Sequence, residues 1–246
     1  MNELESKENK QDTAKGTNAH SVSLKAWLAC TALPKPYYED ESVALFCDDC
    51  TRVLPLIPAN SVDLVLTDPP YNVGKQYDRH LDEMKEYENW CKQWFEMLLE
   101  KTGFVSLSVG TKNLPMWYRI KEPSWLFAWY KGNAILSSKM AQICDWEPFL
   151  IYGNKKIPKD AYKVAVFPQV DTGEHPCPKP ISLISKMVRD WTSEEGIILE
   201  QFCGSGTTLV AAKRLNRKAI GIEISEKYCE IAVNRLRQQE LFSGAS

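Results

Sequence analysis

A chain of 246 residues with 44% hydrophobic and 25% charged side chains can bury one sizeable α/β core but is too short for two domains of catalytic size. Lys and Arg number 30 against 32 Asp and Glu, for a net charge of -2 and a pI of about 6.0, so the overall field does not attract nucleic acid and any such surface has to be local. Wholesale disorder is excluded, no apolar run reaches the roughly 18 to 20 residues of a membrane span, and the first residues lack a signal peptide's apolar stretch, which predicts a cytoplasmic protein without a membrane partner.

Residues 1–24 are polar and mixed in charge, too poor in apolar side chains to offset their ordering entropy, and are expected to form a disordered tail before a single domain over 25–246. SVALFC reads as a short buried strand and residues 51–56 as one or two helical turns. Residues 62–67 are β-branched and apolar and stop at two prolines, which places DPPY, Asp68 to Tyr71, at the carboxyl end of a strand. Met84, Tyr87, Trp90, Trp94, Met97 and Leu98 recur at helical spacing and predict an amphipathic helix over 81–100. GFVSLSVG, WLFAWY and DWEPFLIYG follow as strands. After the lysine-rich GNKKIPKDAYK come EHPCPKP and an apolar helix over 181–191. GIILEQFCGSGTT and KAIGIEISEKYCEIAVNRLRQQ then give a β-α-β-α unit of the doubly wound kind.

Eight cysteines in a chain of this character are expected to be reduced thiols. Cys47 and Cys50 form a CxxC, but no second pair completes a zinc site, so no metal is expected.

Gly204-Ser205-Gly206 lies between a buried strand and a helix, where the lack of a Cβ lets the backbone approach a ligand closely. Leu209 stands where the dinucleotide fingerprint has its third glycine, which counts against NAD. Thr207 and Thr208 open the helix and offer hydroxyls to its free amides or to a ligand carboxylate. Glu223 ends the next strand, near the spacing at which an acid meets ribose hydroxyls, so a ribose-bearing cofactor is implied; a solvated strand-end acid is the plainer alternative.

The amine of a nucleobase is a poor nucleophile because its lone pair is delocalised into the ring. In DPPY, Asp68 can accept one N–H and the carbonyl of Pro69 the other, which localises the pair toward an electrophile. Pro69 and Pro70 stiffen the loop, and Tyr71 offers a face for an extruded base, a role in which Tyr71→Phe would be milder than Tyr71→Ala. A strand-ending turn followed by a core tyrosine explains the same residues equally well on chemistry alone.

Together LTDPPY, HPCPKP, LEQFCGSGTT and GIEISEKYCEIAVNRL resemble the amino-methyltransferases of DNA, in the order of the circularly permuted β class, over about residues 43–238. The resemblance implies a Rossmann-like doubly wound, mostly parallel sheet with helices on both faces, S-adenosylmethionine as cofactor and double-stranded DNA as partner. It implies a catalytic loop of Asp68, Pro69, Pro70 and Tyr71. It also implies a cofactor loop of Glu200, Phe202, Cys203, Gly204, Ser205, Gly206, Thr207 and Thr208, with Glu223 on the ribose, Asp49 near the adenine edge, and His175, Lys179 and Pro180 flanking the methionine part. DPPY usually goes with adenine N6; cytosine N4 and a nonenzymatic DNA- or cofactor-binding relative remain as alternatives. Glu200-Gln201 replaces the family's usual Asp-Pro. The stretch 153–174, where relatives carry target recognition, is short. Its Lys155, Lys156, Lys159 and Lys163 suit contact with the DNA backbone, with relaxed specificity and a homodimer to enlarge the surface.

Overall fold

The computed structural model describes residues 23–74, 76–77, 80–81, 84–132, 136–137, 142–143, 145–166 and 179–243. Among them one nine-stranded sheet dominates: β1 (Tyr38–Glu39), β2 (Val43–Cys47), β3 (Leu64–Thr67), β4 (Phe104–Ser108), β5 (Trp125–Tyr130), β6 (Trp146–Gly153), β7 (Ala161–Lys163), β8 (Ile197–Glu200) and β9 (Lys218–Glu223). Their spatial order is β1-β2-β9-β8-β3-β4-β6-β5-β7. Only β1 and β6 run against the others.

The helices are α1 (Leu24–Ala29), α2 (Cys50–Val53), α3 (Tyr87–Lys101), α4 (Leu114–Ile120), α5 (Ile181–Trp191), α6 (Thr207–Arg214) and α7 (Glu226–Ser243). Strand side chains alternate between two faces, and each face has its own core. Leu64, Leu66, Phe127, Phe149 and Ile198 pack with Met187 and Trp191 of α5, Leu209 of α6 and Leu236 of α7. Val65, Val105, Leu107, Leu199 and Ile222 pack with Leu24 of α1, Val53 of α2, Trp94 and Phe95 of α3 and Trp117 of α4. The result is a three-layer α/β fold. From β3 the chain winds one way across the sheet, to β4; from β8 it winds the other way, to β9. β3 and β8 are neighbours, so the sheet's switch point, where ligands settle in such folds, lies beyond Thr67 and Glu200.

Several expectations need correction. The long helix starts at Tyr87 rather than near residue 81, and Met84, counted toward its apolar stripe, is 41% exposed. Met84 is instead tied by its backbone to the Asn72 side chain, at 2.5 Å from its N–H and 3.1 Å to its carbonyl. α4, marked in the sequence by Pro115 in its first turn and anchored by buried Trp117, went unforeseen. Of the expected tail, 1–22 lies outside the described residues, while Leu24 opens α1 and is buried.

Of the four lysines, Lys155 and Lys163 lie at opposite ends of the sheet. β6 is antiparallel to β4, pairing Gly153 with Phe104, so the chain leaves the sheet at the end opposite Asp68. Lys155 lies there, its Nζ 5.5 Å from the centre of the Phe104 ring. Lys163, paired with Tyr130 at the carboxyl end of β5, returns to the end of the sheet that bears Asp68. Residues 167–174 and His175 lie outside the described residues.

Candidate active site

Asp68 to Tyr71 leave the end of β3 and are held from three sides. Tyr87 of α3 donates to the Pro70 carbonyl at 2.7 Å, and Asn113 Nδ2 donates to the Tyr71 carbonyl at 2.7 Å. Gly110 lies so close to the Tyr71 ring that a Cβ there would sit 3.2 Å from its Cδ2. No donor among the described residues reaches the Pro69 carbonyl. Asp68 thus stands beside an open carbonyl, the two acceptors that an amine requires.

The Tyr71 hydroxyl lies 2.6 Å from Asp68 Oδ1, 2.7 Å from Glu147 Oε1 and 2.5 Å from Ser108 Oγ. Its single proton serves one of these acceptors at a time. Lys179 Nζ donates to Asp68 Oδ2 at 2.7 Å, to Glu147 Oε1 at 2.8 Å and to the Tyr71 hydroxyl at 3.1 Å. Burial pushes the phenol of Tyr71 well above its usual range, and the charges of Asp68 and Glu147 push it further. Burial alone would lower the Lys179 ammonium, but the same two carboxylates outweigh it and keep it protonated. The structure therefore commits Lys179 to Asp68 and Tyr71. Pro180 supplies the carbonyl that accepts from Leu183 and Ile184 and so starts α5.

At the end of β8 the chain turns through Gly204 and Gly206, both with positive φ, +49° and +77°. A Cβ on Gly206 would meet Ala232 Cβ at 2.8 Å, so α7 packs directly on the turn. Arg235, three residues further along that helix face, donates to the Ser205 carbonyl at 2.6 Å, to Ser205 Oγ at 2.8 Å and to Thr207 Oγ1 at 3.2 Å. Glu223 Oε2 accepts from the Gly204 amide at 2.8 Å and Oε1 from Ser225 at 2.9 Å. Thr208 donates to Glu200 Oε2 at 3.1 Å, and Phe202 donates from its backbone to Glu200 Oε1 at 3.3 Å. The threonine hydroxyls that open α6 are bonded to neighbouring side chains. Phe202 packs its ring on Trp90 and Trp94, with centroids 5.5 and 5.2 Å away, so α3 braces both loops. Cys203 is buried, its amide bonded to the Ile222 carbonyl. Asp49 caps α2 through Thr51, whose amide and hydroxyl both lie 2.8 Å from its Oδ1, next to the end of β9.

Glu200 is buried, and desolvation together with the nearby charge of Asp68 raises its pKa to about 8. Gln201 is buried beside it, and neither of its amide atoms has a partner among the described residues. A buried acid and an unpartnered amide at the mouth of a glycine turn fit a polar, cationic ligand better than an apolar one.

Glu147, Ser108, Asn113 and Arg235 are among the participants that escaped the sequence reading. Glu147 had a signal, since in DWEPFLIYG it shares a strand face with Phe149 and Ile151, both buried, and an acid in such a position needs partners. Arg235 had none, because its role depends on how α7 crosses the turn.

A family model described as DNA methylase matches residues 62–158 and 145–234. The type II methyltransferase M.ScaI of Streptomyces caespitosus is 30% identical, the match covering 85% of this chain and 86% of that protein. The DNA adenine methyltransferase YhdJ of Escherichia coli is 27% identical over 81% of this chain and 84% of that one. Among solved structures, PvuII DNA methyltransferase (cytosine-N4-specific) superposes with a TM-score of 0.69 at 18% identity, covering 82% of this chain and 88% of its own. The M1.HpyAVI–SAM complex gives 0.61 at 20% identity, over 79% and 98%. The fold and the two loops define a methyltransferase of the α/β class. The chain belongs to the DNA methylase family, the N6/N4 amino-methyltransferases of DNA.

Proposed function

We propose that the chain transfers a methyl group from S-adenosylmethionine to the exocyclic amine of a base extruded from double-stranded DNA, with adenine N6 as the acceptor. The observation that carries this reading is the pairing of the Asp68 carboxylate with the open carbonyl of Pro69 at the switch point, one strand away from the glycine turn.

When bound, the cofactor supplies the methyl group as an electrophile. Glu200, Phe202, Cys203, Gly204, Ser205, Gly206, Thr207 and Thr208 would form its loop and Glu223 would face the ribose. Asp49, His175, Lys179 and Pro180 are assigned to the cofactor on resemblance alone, and the contacts of Lys179 give it a place at the catalytic loop as well. Asp68 and the Pro69 carbonyl hold the two N–H groups of the amine and direct its lone pair away from the ring. No base has to act first. The nitrogen sheds a proton after it becomes cationic, and Asp68 is placed to take it. A stacked base cannot reach Asp68, so the target leaves the duplex.

The choice of adenine rests on aspartate at the head of the tetrapeptide, and the adenine-specific relative YhdJ is consistent with it. Methyl transfer from radiolabelled cofactor to DNA tests the reading. Asp68→Ala is expected to bind cofactor and lose about 2 to 4 kcal/mol of transition-state stabilisation; a variant as active as the wild type would contradict it.

A further inference from the structure

Behind the catalytic loop, two acids and two ammonium groups meet in a space largely closed to solvent. Lys179 Nζ bridges Asp68 Oδ2 at 2.7 Å and Glu147 Oε1 at 2.8 Å, and Lys131 Nζ lies 3.3 Å from Glu147 Oε2. The side chains of Lys179, Glu147 and Lys131 are only 12%, 14% and 14% exposed, so water screens them poorly. Ser108 Oγ donates to Glu147 Oε1 at 3.1 Å, and the Tyr71 hydroxyl sits between the two carboxylates.

We infer that Glu147 is a positioning residue for methyl transfer: it neutralises Lys179 and fixes the Tyr71 hydroxyl, so that the charge of Asp68 is left to the nitrogen that becomes cationic. The inference rests on the methyl-transfer reading above. Counted as charges, the two carboxylates balance Lys179 and Lys131. Without Glu147 the cluster carries one excess positive charge beside a developing cation, and in this setting like charges repel strongly. Burial by itself would raise the Glu147 pKa, but the ammonium groups of Lys179 and then Lys131 hold it at about 2, so Glu147 is an anion throughout the neutral range.

The test compares wild type, Glu147→Gln, Glu147→Asp, Lys179→Met and the Glu147→Gln/Lys179→Met pair in methyl transfer from radiolabelled S-adenosylmethionine to DNA from a methylation-deficient host, with the cofactor Kd measured for each. Glu147→Gln is expected to lower kcat by about tenfold or more while cofactor Kd and KM stay within about threefold, and Glu147→Asp to recover part of the rate. The double variant is expected to fall below Lys179→Met by less than Glu147→Gln falls below the wild type, because with Lys179 gone Glu147 has only the Tyr71 hydroxyl left to fix. A Glu147→Gln enzyme at the wild-type rate would overturn the inference. So would equal losses with and without Lys179, and if Glu147→Gln alone does not fold, Glu147→Asp made in both backgrounds gives the same comparison. If the wild type transfers no methyl group, the underlying reading fails; if it does and the Glu147 variants match it, only this inference fails.

Discussion

The carboxylate of Glu223 accepts a hydrogen bond from the amide of Gly204 at 2.8 Å, so the acid at the end of β9 holds the glycine turn at the end of β8. An acid assigned to a ribose from the resemblance is therefore also a structural tie within the loop. Glu223→Ala is expected to weaken binding of the demethylated cofactor by about 1.5 to 3 kcal/mol, the range for a hydrogen bond to a charged group, with Glu223→Gln intermediate. Titration calorimetry measures it, and unchanged affinity in the alanine variant would remove Glu223 from the cofactor site.

Tyr71 carries a second prediction. A ring that only stacks tolerates loss of its hydroxyl, but this hydroxyl contacts Asp68, Glu147, Ser108 and Lys179. Tyr71→Phe is expected to lose about 1.5 to 3 kcal/mol of transition-state stabilisation, because it strips a buried hydroxyl from charged partners. Single-turnover rates decide between the roles: a phenylalanine variant close to wild type would leave stacking as the whole function.

What the sequence made legible follows from local physics. Apolar strands ending in Pro-Pro or Gly-Ser-Gly place both loops at strand ends, and the doubly wound pattern brings those ends together. Lys155 and Glu147 show the boundary of such reading. The position of Lys155 depends on β6 running antiparallel, which no local pattern encodes, and the partners of Glu147 come from the chain on either side of it, at Tyr71 and Lys179. Residues that act through packing, such as Arg235 on the turn, become visible only once the helices are docked.

Glu200 gives a pH dependence. Burial first, and the charge of Asp68 second, raise its pKa from 4.5 to about 8, whereas in the unfolded chain it ionises near its ordinary value. Between those two values the unfolded state binds fewer protons, so this group costs the free protein stability as pH rises from about 4.5 to 8. Glu200→Gln is expected to flatten that dependence in thermal melts. A cationic cofactor beside Glu200 favours its ionised form, so binding near neutral pH is expected to release up to about one proton. Calorimetry in buffers of different ionisation enthalpy reads that number, and zero release would place the cation elsewhere.

DNA contact is expected at the end of the sheet that bears Asp68. Lys163→Ala is expected to weaken binding to different sequences about equally and to reduce the salt slope by about one, as loss of one phosphate contact does. Lys155→Ala, at the opposite end, is expected to leave both unchanged. Equal effects from the two variants in salt-dependent binding assays would contradict this placement.

The most direct test of the central claim is the identity of the modified nucleoside. DNA from a methylation-deficient host, treated with the protein and S-adenosylmethionine and then digested, is analysed by mass spectrometry. The account predicts N6-methyladenine, formed at least about 30-fold more slowly when Asp68→Ala replaces the wild type. N4-methylcytosine in its place would contradict the assignment of the base, and the absence of any methylated amine would contradict the assignment of the chemistry.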